Sequence, residues 1–330
     1  MKKIFALLLS AALLVTLLAA CGGGNTTDTD TDTQEPATDA STTQVEEQEP
    51  DTGDASKDDP LNQDEIGEKE LLVVSFGTSY NDSRRETIGA IEKAMQTAFP
   101  DYSVRRAFTS QIIIDHVKDR DGVTIDNVEQ ALERAVNNGV KTLVVQPTHL
   151  MNGLEYEELT DELAKYSDSF EKIAIGDPLL TYDADFEAVM TAITDATKDA
   201  ADGKTAICFM GHGTTADSNS VYSKLQTLLT DKGFNDYYVG TVEATPSLDD
   251  VLAAVQKGNY EKVILRPLMI VAGDHANNDM AGDEDDSWKS TFEKAGYTVD
   301  CQVEGLGQLE AIQQLFVEHA KAAVASAEAE

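Results

Sequence analysis

The chain has 330 residues, 41% of them hydrophobic, which is enough for one large or two ordinary domains with real cores. Its 60 acidic residues outnumber 25 basic ones, for a formal charge of -35. That balance excludes nucleic acid as a partner and excludes lying flat on an anionic membrane surface.

The N-terminus reads MKKIFALLLSAALLVTLLAAC: two lysines, an apolar run, then Leu18-Ala19-Ala20-Cys21. The run is too short and too basic at its start for a bilayer span, and it predicts a secretory signal over residues 1–20. With small residues before Cys21 and Gly22-Gly23-Gly24 after it, the pattern looks like a bacterial lipobox. Cys21 is therefore expected to carry lipid, with the protein exported and held to the extracytoplasmic face of a bacterial membrane by that anchor only. From Gly22 to Glu68 the chain is mostly Thr, Asp, Glu, Gln, Ser, Pro and Gly, almost without aromatic or β-branched aliphatic residues, with 15 acids against one lysine. Such a composition cannot bury enough apolar surface to offset its ordering entropy, so residues 21–68 are expected to form a lipidated cysteine and a solvated, disordered tether.

From Leu71 onward, short β-rich runs alternate with amphipathic helical stretches such as TIGAIEKAMQTAF. The runs are 71–76, 102–108, 141–147, 172–176, 205–211, 237–243, 262–272 and 297–304. Several are apolar throughout, as strands covered on both faces must be, so the alternation predicts an α/β fold with parallel sheets flanked by helices. Cys208 and Cys301 both fall in strands, and nothing in their spacing pairs them.

The strands repeat as a set. FGTS at Phe76–Ser79 matches HGTT at His212–Thr215, AFTS at Ala107–Ser110 matches ATPS at Ala244–Ser247, and QPTHLMNGLE at Gln146–Glu155 matches RPLMIVAGDH at Arg266–His275. Two similar halves follow, 69–200 and 201–330, with a cleft between them. This register pairs Phe76 with His212, Arg106 with Glu243 and Glu155 with His275, all at carboxyl ends of strands, where open α/β sheets place their ligands.

His212 lies between glycines in MGHGTT, Glu243 ends a strand, and His275 follows Gly273 and Asp274. Two imidazoles and a carboxylate are a common donor set for a divalent first-row metal with open coordination positions. Each residue alone is equally compatible with a structural hydrogen bond or a helix cap. His116 and His319 read as surface or packing residues, while His149 sits at a strand end beside Glu155. The acids from Asp279 to Asp286 are expected in a mobile loop at the cleft mouth before a helix that Trp288 anchors in the core.

These strings resemble a known family, the anaerobic single-metal sirohydrochlorin cobalt chelatases of the class II chelatase group, relatives of ferrochelatase. The resemblance rests on LLVVSFGTSY, RAFTS, the NGLEYE element at Asn152–Glu157, FMGHG, the glutamate of VEATPS, and PLMIVAGDHANNDMAGDEDDSWK, and it runs from Leu71 to Val324. It implies a chelatase-like cleft, a divalent metal substrate, cobalt(II), a tetrapyrrole partner and no organic cofactor. It further implies that His212, Glu243 and His275 hold the metal, that His212 is the proton acceptor, and that Glu155 is a further acid/base or metal-delivery carboxylate. A substrate rich in carboxylates calls for local donors; Gly77, Thr78 and Ser79 of the FGTSY loop, and Arg84, Arg85, Arg105 and Arg106, are the candidates. A homo-oligomer is left open.

Export departs from this picture, because such biosynthesis is cytoplasmic. Two alternatives therefore stand beside the enzyme: an extracytoplasmic tetrapyrrole- or metal-binding lipoprotein without turnover, and a lipid-anchored solute-binding protein of a transporter.

Overall fold

Among the described residues, eight strands form two four-stranded parallel sheets of identical order. In the first, β1 (Lys69–Ser75) pairs with β2 (Ser103–Phe108) and β3 (Thr142–Pro147), and β3 with β4 (Lys172–Ile175); in the second, β5 (Thr205–Gly211), β6 (Tyr237–Thr241), β7 (Lys262–Pro267) and β8 (Thr298–Cys301) repeat the order. The computed structural model describes residues 51–64 and 66–329, so the signal sequence, Cys21 and the first part of the tether lie outside the described residues. Among the described residues, no helix is long and apolar enough to cross a membrane.

All eight expected strands are present because buried parallel strands carry apolar residues on both faces. Leu71 and Val73 of β1 enter the core that runs between the two sheets, while Leu72 and Val74 enter a second core under Leu132, Ala135 and Leu159. The second sheet has its own outer core, in which Met210, Leu265, Phe292 and the buried Trp288 meet, as expected for that tryptophan.

The long apolar run at 262–272 is strand only as far as Pro267. Beyond it Leu268 and Ile270 remain apolar because they plug the core between the halves from a loop. Buried cores of either kind demand the same composition, so sequence alone merged them.

The two halves also exchange helices. α6 (Asp183–Thr197) ends the first half but packs on α7 (Ser220–Asp231) of the second, where Thr197 Oγ1 meets Tyr237 OH at 2.9 Å. α10 (Glu310–Ala329) ends the second half but lies on β3 and β4 of the first, and Lys172 Nζ donates to its Ala327 carbonyl at 2.8 Å. A boundary at residue 200 separates the sheets, while the core between them is common property.

Two further expectations are corrected. The stretch from Asp51 to Asp64 is not solvated tether: Leu61 is buried in the central core, and the Asp58 side chain is only 4% exposed, between Arg84 and Arg106. The match of ATPS to AFTS is also out of register, because Ala107 stands opposite Val74 and Gly240, not Ala244, stands opposite Met210. The short strings align the helix caps Ser110 and Ser247, and the second half has a longer connection between strand and helix. The other two matches keep register, since Val74 and Met210 face Pro147 and Pro267 in the same way.

Candidate metal centre

In each sheet the chain leaves the central strand in opposite directions, so β1/β3 and β5/β7 form switch points at their carboxyl ends, the places where such sheets bind ligands. His212 follows β5 directly and His275 follows the loop after β7, so both imidazoles belong to the switch point of the second sheet. Glu243 joins them from the end of β6, where its N–H donates to the His212 carbonyl at 2.9 Å.

The glycines around His212 have identifiable work. Gly213 has φ +89°, and a Cβ there would stand 2.9 Å from Ala244 Cβ and from Thr241 Cβ. Gly211 lies under the Tyr222 ring, where a Cβ would come within 2.1 Å of a ring carbon. Without side chains at both positions, the loop settles close enough to the Glu243 loop to bring their functional groups together.

One donor atom from each of His212, Glu243 and His275 lies within 4.8 Å of the others. The imidazoles meet edge to face, with centroids 4.6 Å apart at 88°. The His212 Nδ1–H donates to the Gly213 carbonyl at 2.7 Å, which leaves Nε2 with its lone pair. The His275 Nδ1–H donates to Asp279 Oδ2 at 2.8 Å, with the same result. Side-chain exposures of 48% for His212, 56% for Glu243 and 33% for His275 leave the set open to an arriving ion. Two neutral imidazoles and one carboxylate would hold a divalent ion with residual positive charge and vacant positions, a set that binds without burying the ion.

Asp279 was not singled out by sequence, where it merged into an acidic run. Its signal was the four-residue spacing from His275, which the π-helical turn Ala276–Met280 converts into contact. The following acids do not cap the next helix: Ser287 does so, accepting from Ser290 N at 3.0 Å, and Asp283 and Asp285 pair with Lys289 and Lys294.

The first half faces this centre with its own switch point. Gly273, just before His275, packs against Thr78 of the FGTSY loop, where a Cβ would stand 3.2 Å from Thr78 Oγ1. Ser83 Oγ, in the helix that follows the FGTSY loop, accepts from Ala272 N at 2.9 Å and adds a second tie to the loop before His275. Gly77 and Thr78 are buried and Ser79 is half-buried, so this loop offers less surface than expected. Glu155 is exposed at the start of α5 (Leu154–Ala164), in the position that His275 occupies in the second half. A groove of about 520 Å³ runs beside it between Asn152, Gly153 and Leu154 of the first half and Ala216, Asp217 and Ser218 of the second.

The arginines expected to meet substrate are placed elsewhere. Arg106 is 1% exposed and held by Glu92 and Asp58, Arg84 is fully buried, and Arg105 is buried near Glu70. Arg106 lies within β2 opposite Val73 and not at the strand end, so the match that paired it with Glu243 was the one that slipped. Arg85 lies on the surface against Asp82 and Glu86.

Of the other histidines, His116 is exposed, and His319 is buried between the Asp177 carbonyl and Asp185. His149 differs: both ring nitrogens are buried without a hydrogen-bond partner among the described residues. Burial pushes its pKa down to about 4, against the opposing pull of Glu155. Cys208 and Cys301 are free thiols on strands separated by β7.

Comparison with known proteins gives a consistent result. A family model described as cobalt chelatase (CbiK) matches residues 69–325. The sirohydrochlorin cobaltochelatase of Salmonella typhimurium is 38% identical over 251 residues, covering 76% of this chain and 94% of that one. The sirohydrochlorin cobaltochelatase CbiKC of Nitratidesulfovibrio vulgaris is 30% identical over 260 residues, covering 78% and 91%. Among solved structures, SirB from Bacillus subtilis with Fe3+ superposes with a TM-score of 0.57 at 14% identity, covering 80% of this chain and 98% of that one, a likeness of fold.

Proposed function

The chain belongs to the cobalt chelatase (CbiK) family, and from that premise we propose that it inserts a divalent metal, cobalt(II), into sirohydrochlorin. The observation that carries this reading at the level of residues is the convergence of His212, Glu243 and His275 within 4.8 Å at one switch point, opposite the first half's own. The reaction exchanges two pyrrole N–H protons for one cation, so the site must hold an ion, release it, and accept protons.

The three side chains divide that work. Glu243 and one nitrogen of each histidine hold the ion, which is a substrate here and must leave, and a half-exposed set of three donors suits transfer better than a closed cage. Once the ion passes to the macrocycle, the vacated nitrogen of His212 is free to take one pyrrole proton. Glu155, approaching from the first half, takes the other proton. Arg84, Arg85, Arg105 and Arg106 are engaged elsewhere, so recognition of the macrocycle's carboxylates falls to donors at the cleft rim, with half-buried Ser79 the accessible member of the Gly77–Ser79 loop.

The reading extends to location. The pattern MKKIFALLLSAALLVTLLAAC supports a location outside the cytoplasm, with lipid on Cys21 as the anchor. A binding protein without turnover would use the same donors. Purified tether-free protein mixed with excess cobalt(II) and sirohydrochlorin separates the two: repeated turnover followed by absorption supports the enzyme, and a change that stops at one equivalent supports the binding protein. His212→Ala should abolish turnover while leaving tetrapyrrole binding in place.

A further inference from the structure

We infer that Asp58, which lies upstream of the region the family shares, is a positioning residue for the FGTSY loop that faces His275. The family match begins at residue 69, so the segment 51–64 is an addition to the shared fold, and composition marks it as tether. It is instead laid over the first half and fastened at several points. Thr52 O accepts from Asp82 N at 2.9 Å, Gly53 O accepts from Asn81 Nδ2 at 3.1 Å, and Leu61 O accepts from Arg106 N at 3.2 Å. Gly53 has φ +92°, and a Cβ there would collide with the Asp82 carboxyl at 2.2 Å, so the segment and α1 (Asn81–Glu86) touch backbone to side chain.

Asp58 is the centre of this fastening. Its Oδ2 accepts from Arg84 Nε at 2.6 Å and from Arg106 Nη1 at 2.7 Å, and its Oδ1 accepts from Arg106 Nη2 at 3.0 Å. Arg106 also holds Glu92 through two bonds of 2.7 and 2.6 Å. Two buried guanidinium groups thus face two buried carboxylates, and the balance exists only because the upstream segment contributes one of them. Remove Asp58 and Arg84 keeps only the weaker pull of Asp121, a carboxylate already paired with Arg120.

That cation has a second task. Arg84 Nη1 donates to the Thr78 carbonyl at 3.1 Å and its Nη2 to Asn81 Oδ1 at 2.5 Å, so it fixes both ends of the turn that follows β1. Thr78 is the residue whose side chain meets Gly273, two residues before His275, and Ser83 of α1 holds Ala272 N. A continuous chain of contacts therefore runs from Asp58 through Arg84 and Thr78 to the loop that carries a metal donor. Asp58 touches neither ion nor macrocycle; it keeps the opposing wall of the cleft at its distance and orientation.

The inference concerns the loop itself, and only its kinetic consequence rests on the chelatase reading. The test is hydrogen–deuterium exchange on the full chain, comparing the native protein with Asp58→Asn and with Asp64→Asn, whose carboxylate pairs with Arg134 from an exposed position. Asp58→Asn should raise exchange at residues 77–81 about tenfold while Asp64→Asn leaves it unchanged. In turnover with sirohydrochlorin, Asp58→Asn should raise KM several-fold with kcat within about twofold. Unchanged exchange at 77–81, or an increase spread evenly over both sheets, would overturn the assignment. If Asp58→Asn does not fold, Asp58→Glu keeps the charge but displaces it by a methylene, and the same loop-confined increase is expected, with the same two results counting against it. Exchange needs no metal and no tetrapyrrole, so a native protein without turnover would remove the chelatase reading and leave this one standing.

Discussion

Asp279 Oδ2 lies 2.8 Å from His275 Nδ1, and the pair is made by a π-helical turn that places residues four apart in contact. A carboxylate behind a ligating imidazole fixes the tautomer and the ring plane, and it strengthens the lone pair on the other nitrogen. Asp279→Ala should therefore weaken cobalt(II) binding about 10- to 100-fold, with the fold intact. Asp279→Asn should fall in between, because the amide keeps a hydrogen bond and loses the charge. Isothermal titration of the two variants with cobalt(II) checks the order; equal affinity in all three proteins would count against any role for Asp279 at the centre.

Glu155 and His275 occupy equivalent places in the two halves, after loops of the same length that follow Pro147 and Pro267. The duplication has put an acid on one wall and a member of the proposed donor set on the other. If Glu155 accepts a pyrrole proton, Glu155→Gln should lower kcat by about 10²- to 10⁴-fold and leave cobalt(II) affinity at His212, Glu243 and His275 unchanged. A variant that loses metal affinity in step with kcat would instead make Glu155 part of the ion's path.

Much of this architecture was legible in the sequence, and the failures share a cause. Fully buried strands such as LLVVS and TAICFMG declare themselves by composition, and their carboxyl ends told where His212 and His275 would be. What sequence could not show was pairing. Arg106 looks like an exposed cation until Asp58 and Glu92 are found around it, and Asp58 looks like one more acid in a tether until Leu61 is seen in the core. The four-residue slip between AFTS and ATPS arose because two helix caps share a serine, a similarity of local chemistry without equivalence of strand position. The exchange of α6 and α10 between the halves has no local signature, since either sheet presents the same kind of apolar face to a helix.

Gly213 offers a test of how the His212 loop is seated. It adopts φ +89° and has no room for a methyl group beside Ala244 and Thr241, whereas Gly139 adopts φ +74° with nothing within 4 Å of a Cβ. Both Gly→Ala changes carry the backbone penalty of a left-handed conformation, on the order of 1–2 kcal/mol. Gly213→Ala must in addition push the His212 and Glu243 loops apart. Urea unfolding should show both variants destabilised, and cobalt(II) titration should show weakened binding only for Gly213→Ala. Retained affinity in Gly213→Ala would mean that the loop adjusts without moving its donors.

His149 and Glu70 should give stability opposite dependences on pH. Burial pushes His149 down to about 4 from an ordinary value of 6.5, so the folded state resists a proton that the unfolded chain accepts. Its contribution is complete above about pH 6.5 and is lost as pH falls towards 4. Burial pushes Glu70 up to about 7 from 4.5, with Arg105 opposing, so the folded state holds a proton that the unfolded chain releases. Its contribution is complete below about pH 4.5 and is lost as pH rises through 7. Each displacement corresponds to an order of 3 kcal/mol, so in the native protein the two partly cancel across the interval they share. Urea unfolding between pH 4 and 7.5 should then show His149→Leu losing the acid decline, leaving stability that falls with rising pH. Glu70→Gln should show the reverse slope, and parallel curves for all three proteins would mean that neither group changes its protonation on folding.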